Sequence, residues 1–213
     1  MMRGVLWDLD GTLVDTEPYW IATEFALAER YGATWSQDQA LELVGNDLID
    51  SGAAIRDQMG LDLTPEQIVE ELLDGVMTQV EREVPWRDGA RELLAELKRA
   101  GVPCGLVTMS YQRFVAPIVA ALPPESFRVI VTGDQVERGK PHPEAYLTAA
   151  GALGLDAAEC VAIEDSNTGA TSAEAAGCRV LVVENHVSVA PGPRRIFSPS
   201  LAEVTVEVLA ALD

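Results

Sequence analysis

Asp8 and Asp10 stand one residue apart where the apolar run Val5-Leu6-Trp7 opens into the turn Asp10-Gly11-Thr12-Leu13. In an extended chain alternate side chains share a face, so both acids leave the strand on one side before the turn redirects them. Two like charges that close resist joint ionisation unless a cation lies between them or a proton is shared. The pair therefore points to a metal site, an acid/base pair, or both. An Asp-Gly turn is common at a strand exit and explains Asp10 and Gly11, but it gives Asp8 no reason. At average residue usage, D-x-D-G-T-L arises by chance in about one chain of this length in several thousand, which favours a functional origin.

Polar residues close other apolar runs as well. Thr108 follows Gly105-Leu106-Val107, Lys140 lies in the loop after Val129–Thr132, and Glu164-Asp165-Ser166 follow Cys160–Ile163. Singly, each has a plain structural account: a threonine ending a strand, a solvated lysine before proline, an Asp-Ser helix cap. Their common placement is the stronger signal. Ligands of doubly wound sheets bind at the carboxyl ends of the strands, and four strand ends here deliver a hydroxyl, an ammonium and carboxylates to one rim.

The elements that must hold this rim show as an alternation. Val5–Leu9, Val102–Val107, Val129–Thr132, Cys160–Ile163 and Val180–Val183 are short apolar runs, as expected of strands covered on both faces. Helical patterns fall between them. Gly89–Ala100 has Asp88 as N-cap and Gly101 beyond its end, Pro143–Leu153 starts on proline, and Asn167 to Ala176 runs from Ser166 to Gly177. Ser200-Leu201-Ala202-Glu203 reads as a capping box opening a last helix. The alternation predicts an α/β fold with a doubly wound parallel sheet. Residues 15–86 depart from it: Ile21–Tyr31, Gln37–Val44, Leu48–Met59 and Pro65–Glu83 read as successive helices with no strand between them. The expected organisation is a Rossmann-like core, 1–14 and 87–213, carrying an inserted all-helical cap, 15–86.

Bulk properties narrow the function classes. A chain of 213 residues with 48% hydrophobic and 23% charged residues is an ordinary globular composition. The net charge of −19 supplies no basic stripe for nucleic acid. It also means that a phosphorylated ligand must be held by local devices: a divalent cation, a lysine or helix N-termini. Cys104, Cys160 and Cys178 lie in or beside strand-like runs and read as small buried hydrophobes in a reducing compartment. Asp8 and Asp10 interrupt the only apolar run near the N-terminus, so no signal peptide is expected, nor is any stretch long enough to span a bilayer. A cytoplasmic, monomeric protein is the expectation.

With these segments in hand, the chain resembles the haloacid dehalogenase superfamily, in the branch of small phosphatases with a helical cap after the first strand. Asp8–Leu13 matches the first signature motif, Thr108 the second, Lys140-Pro141 the third, and Glu164-Asp165-Ser166 with Gly169 the fourth. Val84-Pro85-Trp86-Arg87-Asp88-Gly89 resembles the segment re-entering the core from the cap. The resemblance implies that Asp8 is the nucleophile forming an aspartyl-phosphate and Asp10 the acid/base. It implies Mg²⁺ held by Asp8, Asp165 and the backbone carbonyl of Asp10, with Glu164 either binding directly or orienting its waters. Thr108 and the backbone N–H of Met109 would hold the phosphate oxygens, and Lys140 would add fixed positive charge. The substrate implied is a small phosphorylated metabolite.

The branch also contains β-phosphoglucomutases, which carry a cap histidine and an arginine for a second phosphate. Trp20 and Leu48 stand where those would align, which weakens the mutase alternative. Phosphonatase chemistry needs a cap lysine, and residues 15–86 hold none. Asp10 suits leaving-group protonation, which halide expulsion does not require. A non-catalytic metal-binding regulator is the alternative from another class, and joint retention of Asp8, Asp10, Thr108, Lys140 and Asp165 argues against it. Ser110 receives no role. His142 reads as a loop or helix-start residue, His186 as structural, and Trp20, Trp35 and Trp86 as packing the cap or its junction.

Overall fold

The protein is described by a computed structural model covering residues 2–212. Strands β1 (Gly4–Trp7), β2 (Cys104–Val107), β3 (Val129–Val131), β4 (Cys160–Glu164), β5 (Arg179–Val182) and β6 (Arg195–Phe197) form one sheet in the order β3-β2-β1-β4-β5-β6. Every neighbouring pair is parallel, with Val5 opposite Cys104 on one side and Val161 on the other. The chain works outward from β1 to β3 and then crosses to the other side of β1. The order therefore reverses beside the central strand, where such sheets place their ligands.

Alternation along the strands sorts side chains onto the two faces. Val5, Trp7, Cys104, Leu106, Val161 and Ile163 join an apolar cluster with α5 (Ala90–Arg99) and α6 (Gln112–Ala120). Leu6, Val107, Cys160 and Ala162 face the other way, against the alanines of α7 (Glu144–Ala152) and α8 (Asn167–Ala176). Trp7 and Leu6 are fully buried, each worth about 1.5–3 kcal/mol of transfer free energy. These contacts fix the height at which β1 stops, and with it Asp8.

Between β1 and α5 the chain is helical: α1 (Glu17–Tyr31), α2 (Gln37–Leu41), α3 (Leu48–Met59) and α4 (Pro65–Val80). Helix α4 is the hub, burying Ile68, Leu72, Leu73 and Val76 and packing on both α1 and α3. No helix among the described residues is long and apolar enough to cross a membrane.

Three local expectations need correction. Strand β6 and helix α6 are absent from the sequence reading; β6 is three residues with its last two exposed, and α6 carries Pro117 in its interior. Asp88 does not cap α5, because Gly89 takes the cap position against the turn at Leu201–Glu203. Ser200 caps only that single turn, accepting from the Ala202 N–H, and Thr205 caps the last helix, α9 (Val206–Ala210).

Candidate active site

The rim at the strand ends brings Asp8, Lys140, Glu164 and Asp165 into one buried cluster. Lys140 Nζ donates to Asp8 Oδ1 and Glu164 Oε1, both at 2.6 Å, and to the Val107 carbonyl at 3.1 Å. Two carboxylates share this one ammonium, with Asp165 beside them. Burial, followed by repulsion from Glu164, pushes the Asp8 carboxyl up to about 8 despite the Lys140 contact. Burial and then Asp8 also hold Asp165 well above the usual carboxylate range. Burial alone would depress Lys140, but Asp8 and Glu164 outweigh it and raise its pKa.

Two glycines make this crowding feasible. A Cβ on Gly11, whose φ is 83°, would lie 1.9 Å from Asp165 Oδ2, and one on Gly169 would lie 1.9 Å from Glu164 Oε1. The turn after β1 and the first turn of α8 can thus close over the two carboxylates. Glu164 is fully engaged: Oε1 also accepts the Tyr146 hydroxyl at 2.6 Å, while Oε2 accepts the Asp165 N–H and the Ser166 hydroxyl.

Asp10 faces a different neighbourhood. Its Oδ1 accepts the Thr16 hydroxyl at 2.5 Å and the Trp20 indole N–H at 3.0 Å. Its Oδ2 accepts the Ser110 hydroxyl at 2.6 Å and, more weakly, Thr108 at 3.4 Å. The side chain is therefore aimed by donors from the end of β2 and from α1 with its cap residue. No hydrogen bond among the described residues ends on the Asp10 backbone carbonyl. Thr108 is buried, its hydroxyl receiving the Ser110 N–H, and the Met109 N–H has no partner among the backbone bonds.

The donor set fits a hard divalent cation. Carboxylate oxygens of Asp8, Glu164 and Asp165 approach within 4.8 Å of one another. Asp8 Oδ2 and Asp165 Oδ2 are buried without a hydrogen-bond partner, a costly state for a carboxylate oxygen that a bound cation would relieve.

The structure thus assembles every residue singled out on the rim: Asp8, Asp10, Thr108, Met109, Lys140, Glu164 and Asp165. Sequence reasoning missed four others. Thr16, Ser110 and Tyr146 carry no signal beyond residue type, and Trp20 donates to Asp10 as well as packing edge-on against Phe114 at 5.4 Å. His142 accepts the Glu144 N–H at the start of α7, as expected of a helix-start residue. His186 meets Asp15 at 2.8 Å. The three cysteines are buried and unpaired, with burial pushing Cys104 and Cys178 up to about 12 and Cys160 to about 11.

Residues 5–183 match the family described as haloacid dehalogenase-like hydrolase. Over 189 residues the chain is 36% identical to hexitol phosphatase A of Escherichia coli, covering 85% of this chain and 82% of that protein. It is 34% identical over 188 residues to N-acetylmuramic acid 6-phosphate phosphatase of Pseudomonas aeruginosa, covering 85% and 81%. The crystal structure of CbbY from Rhodobacter sphaeroides in complex with phosphate has a TM-score of 0.87 at 26% identity, covering 99% of this chain and 100% of that one. A family match across most of the chain, on the fold and rim just described, means that the protein belongs to the haloacid dehalogenase-like hydrolases, as a phosphatase of that family.

Proposed function

We propose that the protein is a Mg²⁺-dependent phosphatase that hydrolyses a small phosphate monoester, of the sugar-phosphate kind, through an aspartyl-phosphate on Asp8. The observation that carries this reading is Lys140 Nζ at 2.6 Å from both Asp8 and Glu164. It fixes one positive charge against the nucleophile where the transferred phosphoryl group must sit. A carboxylate oxygen of Asp8 attacks phosphorus, the bond from phosphorus to the leaving oxygen breaks, and Asp10 delivers a proton to that oxygen. Asp10 then takes a proton from the water that attacks the aspartyl-phosphate, releasing phosphate and restoring Asp8. Thr108 and the free Met109 N–H are suited to the non-bridging oxygens. Mg²⁺, held by Asp8, Asp165 and the Asp10 carbonyl, would offset the charge of substrate and carboxylates. Glu164, saturated by protein donors, positions Lys140 rather than binding the ion. The helical segment 15–86 acts as a cap over the rim and excludes bulk water during transfer.

Hydrolysis is favoured over the mutase alternative by Trp20, which gives Asp10 a fixed indole donor where a mutase has a titratable histidine. The test is phosphate release from an aryl phosphate. The wild type is expected to turn over with Mg²⁺ and to stop with chelator, Asp8→Asn to be inactive, and rapid-quench mass spectrometry to find phosphate on Asp8. Chelator-insensitive turnover, or activity in Asp8→Asn, would overturn the reading.

A further inference from the structure

The cavity above Asp8 and Asp10 runs into the helical segment and is open at its mouth. Two further acids line it, carried by α1 rather than by a strand end. Glu17, Trp20 and Glu24 follow the i, i+3, i+7 spacing of α1 and so share a face, and all three border the cavity. Glu17 is 6% exposed and Glu24 5% exposed. Glu24 Oε2 accepts the Trp35 indole N–H at 2.8 Å. Glu17 has no hydrogen-bond partner among the described residues, although a buried carboxyl left unsatisfied is costly. It is aimed into the cavity with nothing of the protein's own to bind.

The absence of a counter-charge is equally informative. Among the residues lining the cavity the one cation is Lys140, already committed to Asp8 and Glu164. Segment 15–86 holds three basic residues, Arg30, Arg56 and Arg82. None lines the cavity: Arg30 pairs outside with Glu71, Arg56 with Asp57, and Arg82 is exposed. A second phosphate or a carboxylate on the substrate would face two acids and no available cation. Hydroxyl groups would instead donate to the open carboxyl oxygens, with the Ser51 side chain beside them and Leu43, Leu48 and Leu72 covering the carbon skeleton.

We propose that Glu17 and Glu24 determine specificity, accepting hydrogen bonds from a neutral, hydroxyl-bearing leaving group and turning away anionic ones. The proposal rests on the phosphatase reading above and names its substrate class. The relatives' names do not decide it, since one is a hexitol phosphatase and another acts on an acid.

The test compares kcat/KM on a hexitol 6-phosphate, phosphoglycolate, glucosamine 6-phosphate and an aryl phosphate, in the wild type, Glu17→Gln, Glu24→Gln and the double variant. Gln at 24 keeps an acceptor for Trp35, and a thermal melt verifies each fold. The wild type should prefer the hexitol phosphate over phosphoglycolate by about a hundredfold, the scale of a like-charge contact in a closed site. The double variant should shrink that ratio by about tenfold or more, because an amide accepts from a hydroxyl more weakly than a carboxylate and no longer repels an anion. A merely structural role would lower all substrates alike and leave the ratio fixed, which overturns the proposal. So would a wild-type preference for phosphoglycolate or for the amino sugar phosphate. If the aryl phosphate itself is not hydrolysed with Mg²⁺, the underlying phosphatase reading fails; if it is hydrolysed without hexitol preference, only the specificity assignment fails.

Discussion

Asp10 is the residue whose surroundings say most about its work. Four donors, from Thr16, Trp20, Ser110 and Thr108, hold its two oxygens, fixing the carboxyl in one orientation, as the proposed proton transfer requires. Removing its proton-transfer capacity in Asp10→Asn should lower kcat by about 10²–10⁴-fold; single-turnover measurement on an aryl phosphate checks it, and an unchanged kcat removes Asp10 from the reaction. Trp20→Phe keeps the ring against Phe114 but deletes the indole donor, so kcat should fall by about tenfold, the scale of a neutral hydrogen bond, with little change in melting temperature. Glu24 supports a prediction of another sort. Burial, partly offset by the Trp35 bond, raises its pKa from 4.5 to about 7. The folded state therefore holds this proton more tightly than the unfolded chain. The resulting stability is complete below pH 4.5 and is lost as pH rises through 7. Glu24→Gln does not titrate, so its stability relative to wild type should increase by about 3 kcal/mol between pH 4 and pH 8. Denaturant unfolding at both pH values reads the difference, and a flat profile would show that Glu24 stays charged in the cavity.

At the scale of elements, the site depends on how closely helix α8 and the turn after β1 approach β4. Gly169 sits over the Glu164 carboxylate, which Lys140, Tyr146, Asp165 and Ser166 hold from other directions. A methyl group there has nowhere to go. Gly169→Ala should cost about 1–3 kcal/mol, the usual penalty of overpacking, and should also slow turnover because Lys140 moves with Glu164. Denaturant unfolding and kcat are expected to fall together. The same elements show what the sequence makes legible. Strands β1, β2, β4 and β5 are visible because both faces are buried, which turns them into unbroken apolar runs. The rim residues are visible because they follow those runs. Strand β6 was hidden because an edge strand of Arg195-Ile196-Phe197 needs only one buried neighbour, and α6 because Pro117 masks its period. Glu17 and Glu24 were hidden for a subtler reason. On α1 they share the stripe of Trp20 and Leu27, and an acid on an apolar stripe reads as an exception until the cavity beside it is seen. Asp10's donors come from residues 6, 10 and 100 positions away, a convergence that only the closed fold produces.

For the whole molecule, the balance to be struck is between a net charge of −19 and a buried centre that is itself acidic. The helical segment is tied to the sheet domain at several places. Arg113 of α6 pairs with Glu70 and Asp74 of α4, and the loop after β5 grips both chain crossings: Asn185 and His186 meet Asp15, while Arg87 meets Asn185 and the Glu184 carbonyl. These contacts are largely exposed, and such pairs contribute roughly 0–1 kcal/mol each. They can bias how the segment sits without dominating global stability. The centre is different. Asp8, Glu164 and Asp165 oppose one ammonium inside the fold, with two carboxylate oxygens unsatisfied. Folding without a cation therefore compresses like charges that water would otherwise separate. A cation bound there would be coupled to the fold. Mg²⁺ at a hundred times its dissociation constant should stabilise the wild type by about 2.7 kcal/mol. Asp165→Asn removes one of the three acids in an isosteric side chain that still fits beneath Gly11. In chelator this variant should unfold at a higher temperature than the wild type. In saturating Mg²⁺ the order should reverse, because the wild type gains the binding energy and the variant gains little. Differential scanning calorimetry of both proteins under the two conditions decides the matter. A wild type that melts identically with Mg²⁺ and with chelator would mean that this acidic centre is stabilised by the protein alone and holds no ion.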